Sequence, residues 1–238
     1  MKPWLLREVC VSTLMEYSCK TLKGAYNNDH MTKPVFRSLL IEVMVLNRKQ
    51  EILEAATTSF SLFGYKATTM EQVAKIAKVG KGTVYNFFTN KQELLHEVVV
   101  AMIRDMKLET DSKLDPSLSF MENVHTALMH LLKFRERHLL FAKLLEEEKQ
   151  LGTPEVLEIL QGIETEIVSY IAVRIRAAID KGEAHSSNPE LVAYLMLKSY
   201  LALVVDWQEN HKEALNEETI VTLLKETVFR GLENNKTK

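Results

Sequence analysis

An all-α fold is predicted from three observations. Apolar residues recur at helical spacing from Ile52 to Leu232, capping signals precede several of these runs, and no strand-like alternation, hairpin turn or fixed-period repeat interrupts them. With 46% apolar residues, eight glycines and five prolines in 238, the chain has the material for a substantial core and lies outside the disordered class. The longest apolar run, Tyr194 to Val205, is broken by Lys198 and Ser199. It falls short of the roughly 18 uninterrupted residues that a membrane span needs, so no membrane partner is expected.

Residues 1–43 show no clear period. They lack the apolar stretch and small-residue cleavage site of a secretory signal. They are expected to form a poorly ordered N-terminal extension, or to result from a start set upstream of a native one at Met44. Both cysteines, Cys10 and Cys19, fall there. The remainder therefore holds no disulfide framework and no cysteine-based zinc or redox site, and a reducing cytoplasm is the expected setting.

Residues 44–92 read as a small helical head. Asn47 is placed to cap a first helix with Ile52, Ala56, Phe60 and Phe63 on one stripe, and Gly64 suits its left-handed stop. Thr69 and Gln72 form a capping box for a second helix with Met70, Val73, Ala74 and Ala77 facing inward. After the turn Lys78-Val79-Gly80 comes a third helix of barely two turns. Val84 and Phe88, four apart, give it a buried side. Asn90 and Glu93 form another capping box, opening a long helix with Leu94, Leu95, Val98, Val99, Met102 and Met106 on its apolar side.

The third helix leaves Lys81, Thr83, Tyr85 and Asn86 wholly or partly outside. Any one of them has about even odds of being ordinary solvated surface, but together they supply donors and acceptors suited to base edges and phosphates. Gly82 costs roughly 1 kcal/mol of helix propensity and removes a side chain where a backbone can approach DNA. This is the helix expected in the major groove. Charge agrees modestly: residues 44–95 hold seven Lys/Arg against four Asp/Glu, and residues 96–238 hold seventeen against twenty-four. A basic head on an acidic body suits contact with a polyanion at one end.

The segment resembles the DNA-binding domain of the TetR/AcrR family of bacterial one-component repressors. The residues that carry the likeness are Gly64-Tyr65, Thr68-Thr69-Met70, Val73-Ala74, Lys81 through Phe88, and Asn90-Lys91-Gln92-Glu93-Leu94. The resemblance implies that Thr68 and Thr69 meet phosphates, that Lys81, Gly82, Thr83 and Asn86 face bases or backbone in the groove, and that Tyr85 and Lys91 grip phosphates. Two positions depart from the family pattern, which commonly has glycine where Lys78 stands and serine where Gly80 stands. Gly80 remains an acceptable cap. Lys78 either sits at an unfavourable backbone angle or adds a phosphate contact.

Residues 93–238 read as helices separated near Asp115-Pro116, Gly152-Thr153-Pro154, Gly182 to Pro189 and Asn210 to Asn216. Ile163, Ile167, Ile171, Ile175 and Ile179 recur every four residues as the core stripe of one long helix, with Pro154 in its first turn. Leu191 to Trp207 is apolar on nearly all sides, and Ile220 to Leu232 carries a broad stripe. Such helices must be covered by their own chain or by a second one. The resemblance implies about nine helices and a four-helix bundle across a homodimer, with Leu197, Leu201, Val204, Leu224 and Val228 as interface candidates. A mostly apolar effector pocket is expected in the body, with Met102, Met106, Phe134, Phe141 and Tyr170 as lining candidates, each of which also reads as core.

No catalytic chemistry is legible. His125, His130 and His138 lack the i, i+4 spacing of a metal pair, and no nucleophile elbow or phosphate loop is present. Glu146-Glu147-Glu148 reads as a solvated helix end. Arg135, Arg137, Arg174 and Arg176 read as surface, with a partner for an acidic ligand head group as the alternative. No cofactor or metal is expected. The resulting expectation is a homodimeric repressor that binds a palindromic operator and is released by a small, largely apolar effector. A corepressor-type regulator or an activator would use the same parts. A helical enzyme or carrier that retains the head would need a convergent set of titratable groups.

Overall fold

The computed structural model describes residues 33–135, 139–186, 188–207, 211, 213 and 215–232; for 33–40 and 133–135 the description stops at the backbone. Nine helices and no strand are found among these residues: α1 (Lys33–Ala67), α2 (Met70–Ile76), α3 (Lys81–Phe87), α4 (Lys91–Asp111), α5 (Phe120–Arg135), α6 (Leu139–Leu151), α7 (Pro154–Asp180), α8 (Pro189–Leu201) and α9 (Glu217–Leu224). π-helical turns continue α8 over Ala202–Asp206 and α9 over Lys225–Phe229. The chain divides into two compact units, Met1–Glu51 and Ile52–Lys238. The described part of the first is residues 33–51 of α1.

The helix predicted to start at Asn47 starts earlier. Helix α1 is already running at Lys33 and passes through Asn47. A single capping side chain is a preference of about 1 kcal/mol. It does not set the start here: Pro34, with no N–H to lose, suits the first turn of a helix that begins at Lys33. At the other end Gly64 breaks the helix as expected, with φ 80° and ψ 174°.

In the head, α2 and α3 pack together and against α1. Thr69 caps α2 by accepting from the Gln72 N–H at 3.2 Å. Lys78 N–H donates to the Lys75 carbonyl (3.2 Å) and Val79 N–H to the Ala74 carbonyl (3.0 Å), closing the helix in a Schellman motif. That motif needs a left-handed residue, and Lys78 supplies it with φ 55°. The backbone strain left open by the sequence is thereby located. A side chain in this conformation costs about 1–2 kcal/mol, partly returned because glycine is looser when unfolded. Lys78→Gly is expected to stabilise the protein by about 0.5–1 kcal/mol, read as a rise in urea midpoint at constant m-value.

One core joins head and body. Ile52, Ala56 and Phe60 of α1, Val73 of α2, Val84 of α3 and Phe88 pack with Leu94, Leu95 and Val98 of α4, Leu140 and Leu144 of α6, and Val156 and Ile159 of α7. Each fully buried side chain of this size contributes on the order of 1.5–3 kcal/mol. A second cluster joins α5, α8 and α9 through Leu132, Tyr200, Ile220 and Leu224. Helices α7 and α8 meet over the small residues Ala172 and Ala193, both fully buried.

Candidate functional site

Helix α3 is held by its inner side and free on its outer one. Val84 is fully buried and Phe88 is 1% exposed, whereas Lys81, Gly82, Tyr85 and Asn86 are exposed and Thr83 is half-buried. Tyr85 keeps 43% of its surface in solvent, a large value for an aromatic residue that packing would otherwise recruit. Gly80 caps the helix through its backbone alone, its carbonyl accepting from Thr83 N–H at 2.9 Å. A side chain added at Gly82 would meet nothing within 4 Å, so the helix is open to close approach there.

Lys81 is not idle. It forms an ion pair with Glu71 of α2 and lies 5.7 Å from the centre of the Tyr85 ring. The hydrogen bond to Glu71 raises the Lys81 ammonium above its ordinary pKa and draws the Glu71 carboxyl down. Both groups are exposed, so the pair is worth little in stability, and a phosphate can displace Glu71 at small cost. Glu71 was not singled out from sequence because its partner is ten residues away across a turn.

Two expected phosphate contacts are placed differently. Thr68 is 1% exposed, and its hydroxyl donates to the Gly64 carbonyl at 2.8 Å. It closes the turn after α1 instead of facing outward; of the Thr68-Thr69 pair only Thr69 is exposed. Lys91 is half-buried, and its Nζ donates to the carbonyls of Tyr65 (2.7 Å) and Thr68 (3.0 Å), with Lys66 at 3.3 Å, above the Tyr65 ring at 4.2 Å. Burial pushes the Lys91 ammonium below its usual pKa. Lys91 thus clamps the turn at the end of α1. The capping box at Asn90 is formed on one side, with Asn90 Oδ1 accepting from Glu93 N–H at 2.8 Å. The Glu93 carboxylate reaches back to Thr89, one residue before the predicted cap.

The body encloses a cavity of about 860 Å³. Met102, Met106, Phe141 and Tyr170 line it; the side chain of Phe134 lies outside the described residues. Ile163, Ile167, Ile171 and Ile175, four of the five isoleucines of the α7 stripe, line it as well. Its charged lining residues are Asp115, Arg174, Lys181 and Glu183. Arg174 pairs with Asp111, donates to the Tyr170 carbonyl at 3.0 Å and stacks 3.4 Å from the centre of the Tyr170 ring. The Tyr170 hydroxyl donates to Asp111 at 2.7 Å, and burial followed by this bond holds the phenol well above its usual pKa. Arg176 pairs with Glu190.

The interface residues expected from sequence turn inward. Leu197, Val204 and Leu224 are 6, 7 and 2% exposed, Leu201 is half-buried, and all four line the cavity of their own chain. Val228 is half-buried against the α5–α8–α9 cluster. The hollow body needs apolar walls, and α8 supplies them. Its outward apolar residues are instead Leu191, Tyr194, Leu195 and Trp207, with Leu223 on α9. Lys198, on the same outward side, pairs with Glu164 of α7.

Glu147 is the other departure. It is 6% exposed within a run that reads as solvated, and its carboxylate accepts from the N–H groups of Tyr65 (2.6 Å) and Lys66 (3.0 Å) and from the Thr153 hydroxyl (3.2 Å). One signal was present in the sequence. Leu140, Leu144 and Glu147 fall at i, i+4 and i+7, so Glu147 occupies an inward position of an apolar stripe.

No group of three or more potential metal ligands occurs among the described residues, and none of their helices is long and apolar enough to cross a membrane.

Three comparisons bear on this arrangement. The model of the family described as "Bacterial regulatory proteins, tetR family" matches residues 52–98, from α1 into α4. The HTH-type transcriptional regulator YhgD of Bacillus subtilis is 48% identical over 192 residues, which is 81% of this chain and 100% of that protein. The HTH-type transcriptional repressor AcnR of Corynebacterium glutamicum is 28% identical over 158 residues, 65% of this chain and 78% of that one. Among solved structures, the SmeT–triclosan complex superposes with a TM-score of 0.65 over 80% of this chain and 93% of its own, at 18% identity. The fatty acid degradation regulator FadR of Bacillus halodurans superposes with 0.63 over 77% and 95%, at 16% identity. At these identities the two structures speak for the fold.

Proposed function

The chain belongs to the TetR family of bacterial transcriptional regulators, DNA-binding helix-turn-helix proteins and not enzymes, and from that premise we propose that it is a homodimeric repressor released from a palindromic operator by a largely apolar effector. The observation that carries this reading is the joining of two features by one core. The outward face of α3, with Lys81, Tyr85 and Asn86, suits a major groove, and it shares that core with a body enclosing an apolar cavity.

Three details fill in the reading. Lys81 and Tyr85 would hold backbone phosphates, Thr83 and Asn86 would meet base edges, and Gly82 would allow the close approach. The effector would be a largely apolar molecule, because most of the side chains that line the cavity are apolar and Arg174 already has Asp111 as its partner. The SmeT complex contains triclosan, and FadR is described as a regulator of fatty acid degradation; apolar compounds are in keeping with both. The second chain would cover Leu191, Tyr194, Leu195, Trp207 and Leu223, placing two reading helices about 34 Å apart or a small multiple of it. To pass from mostly bound to mostly released, the effector must prefer the released spacing by about 5.5 kcal/mol.

The test is a gel shift on the protein's own upstream DNA. The wild type is expected to select that fragment over a scrambled one. Lys81→Ala with Tyr85→Ala is expected to lose affinity by about two orders of magnitude. Lys81→Ala alone is expected to lower the slope of log K against log salt by about 2, one phosphate per head. Equal, sequence-independent binding by wild type and variant would sink the reading. An effector that tightens binding would reverse its sign and favour a corepressor.

A further inference from the structure

Helix α6 belongs to both halves of the protein. Phe141, Ala142 and Leu145 line the cavity. Glu147 stands two residues beyond Leu145, about 200° round the helix, and so faces the opposite way. There its buried carboxylate receives the Tyr65 and Lys66 amides in the last turn of α1, beyond the break at Gly64 and ahead of the reading helices. Those two amides follow the helix break at Gly64 and have lost their intrahelical partners. The fit is close: a Cβ built on Gly64 would lie 2.5 Å from Glu147 Oε2. On the other side of the same turn Lys91 takes the carbonyls of Tyr65, Lys66 and Thr68. The turn is therefore held by one cation on its acceptors and one anion on its donors, the anion from a cavity wall. A third bond, from the Thr153 hydroxyl, ties the same carboxylate to the start of α7.

We propose that Glu147 is the positioning residue through which helix α6 sets the DNA-reading head, so that a displacement of the cavity wall reaches the last turn of α1 as a pull on two backbone amides. The proposal rests on the regulator reading above. A carboxylate is well suited to the task because both of its oxygens accept, one for each amide, whereas an amide side chain would offer one acceptor and turn a donor toward the other N–H. The Tyr65 bond is short, at 2.6 Å, and buried, so a shift of α6 reaches that amide without intervening water.

The full-length Glu147→Gln variant tests this, with Glu146→Gln as the exposed neighbour on the same helix. Amide hydrogen exchange at Tyr65 and Lys66 and affinity for the upstream DNA fragment are measured together, with helical circular dichroism as the control for folding. In Glu147→Gln the two amides are expected to exchange at least 10-fold faster and DNA affinity to fall at least 10-fold, at unchanged helicity. Glu146→Gln is expected to leave both within 2-fold. Binding of the apolar dye 1-anilinonaphthalene-8-sulfonate is expected to alter exchange at Tyr65 and Lys66 in the wild type and to lose that effect in Glu147→Gln. Wild-type exchange in the variant, or faster exchange with full DNA affinity, would overturn the proposal. A dye effect equal in both proteins would overturn it too. A wild type that does not prefer its upstream fragment counts against the regulator reading instead, and the positioning role is then decided by the exchange results.

Discussion

Gly64→Ala is expected to lower the unfolding free energy by about 3 kcal/mol, a large loss for the addition of a single methyl group. Two causes act together. The backbone at Gly64 lies at φ 80° and ψ 174°, a region open almost only to glycine and costing other residues about 1–3 kcal/mol. The new methyl would also meet the Glu147 carboxylate, and displacing it leaves the Tyr65 and Lys66 amides without a charged acceptor, worth about 1.5–3 kcal/mol for such bonds. The two costs share one contact and will not add in full. Gly64→Ala combined with Glu147→Ala should therefore lose less than the sum of the single losses. Urea unfolding of the four proteins measures this, and a Gly64→Ala midpoint within the error of wild type would show that neither cause operates.

Lys91→Met is expected to cost about 2 kcal/mol of stability and to leave the salt dependence of DNA binding unchanged. Methionine keeps most of the apolar stem over the Tyr65 ring. What it removes is the only donor that any described contact gives to the carbonyls of Tyr65 and Thr68, and bonds to a charged donor contribute about 1.5–3 kcal/mol. The Lys66 carbonyl is at the surface, where water can replace the ammonium. The phosphate role implied by resemblance makes the opposite forecast: stability nearly unchanged, and a salt slope lower by about 2 for a dimer. Urea unfolding and a salt titration of DNA binding on the same variant distinguish the two.

The head was legible because its signals are local. The starts of α2 and α4 are marked by a side chain whose partner lies three positions on, Thr69 with Gln72 and Asn90 with Glu93, and the buried pair Val84 and Phe88 is visible from spacing alone. Long-range partners were not legible. Thr68, Lys91 and Glu147 look like surface residues in sequence, and each is drawn inward by backbone groups around the break at Gly64, up to 82 positions away for Glu147. The apolar faces of α8 and α9 failed for another reason. A helix apolar on nearly all sides has no preferred inward direction in sequence, and the cavity decides which side is the wall. Leu197, Leu201, Val204 and Leu224 went to that wall, leaving Leu191, Leu195 and Leu223 outside.

The π-helical turn at Ala202–Asp206, closed by the Trp207 N–H on the Ala202 carbonyl, has a rotational effect on α8. In an unbroken α-helix Trp207, twelve positions after Leu195, would sit about 120° away around the axis. The wider turn takes up about one extra residue, which brings Trp207 back to within about 20° of Leu195. Both are outward-facing, at 37 and 50% exposed. The π turn is thus a phase correction that keeps a single apolar seam running from Leu191 to Trp207, where strict α-helical winding would have sent the tryptophan round to a different side of the protein.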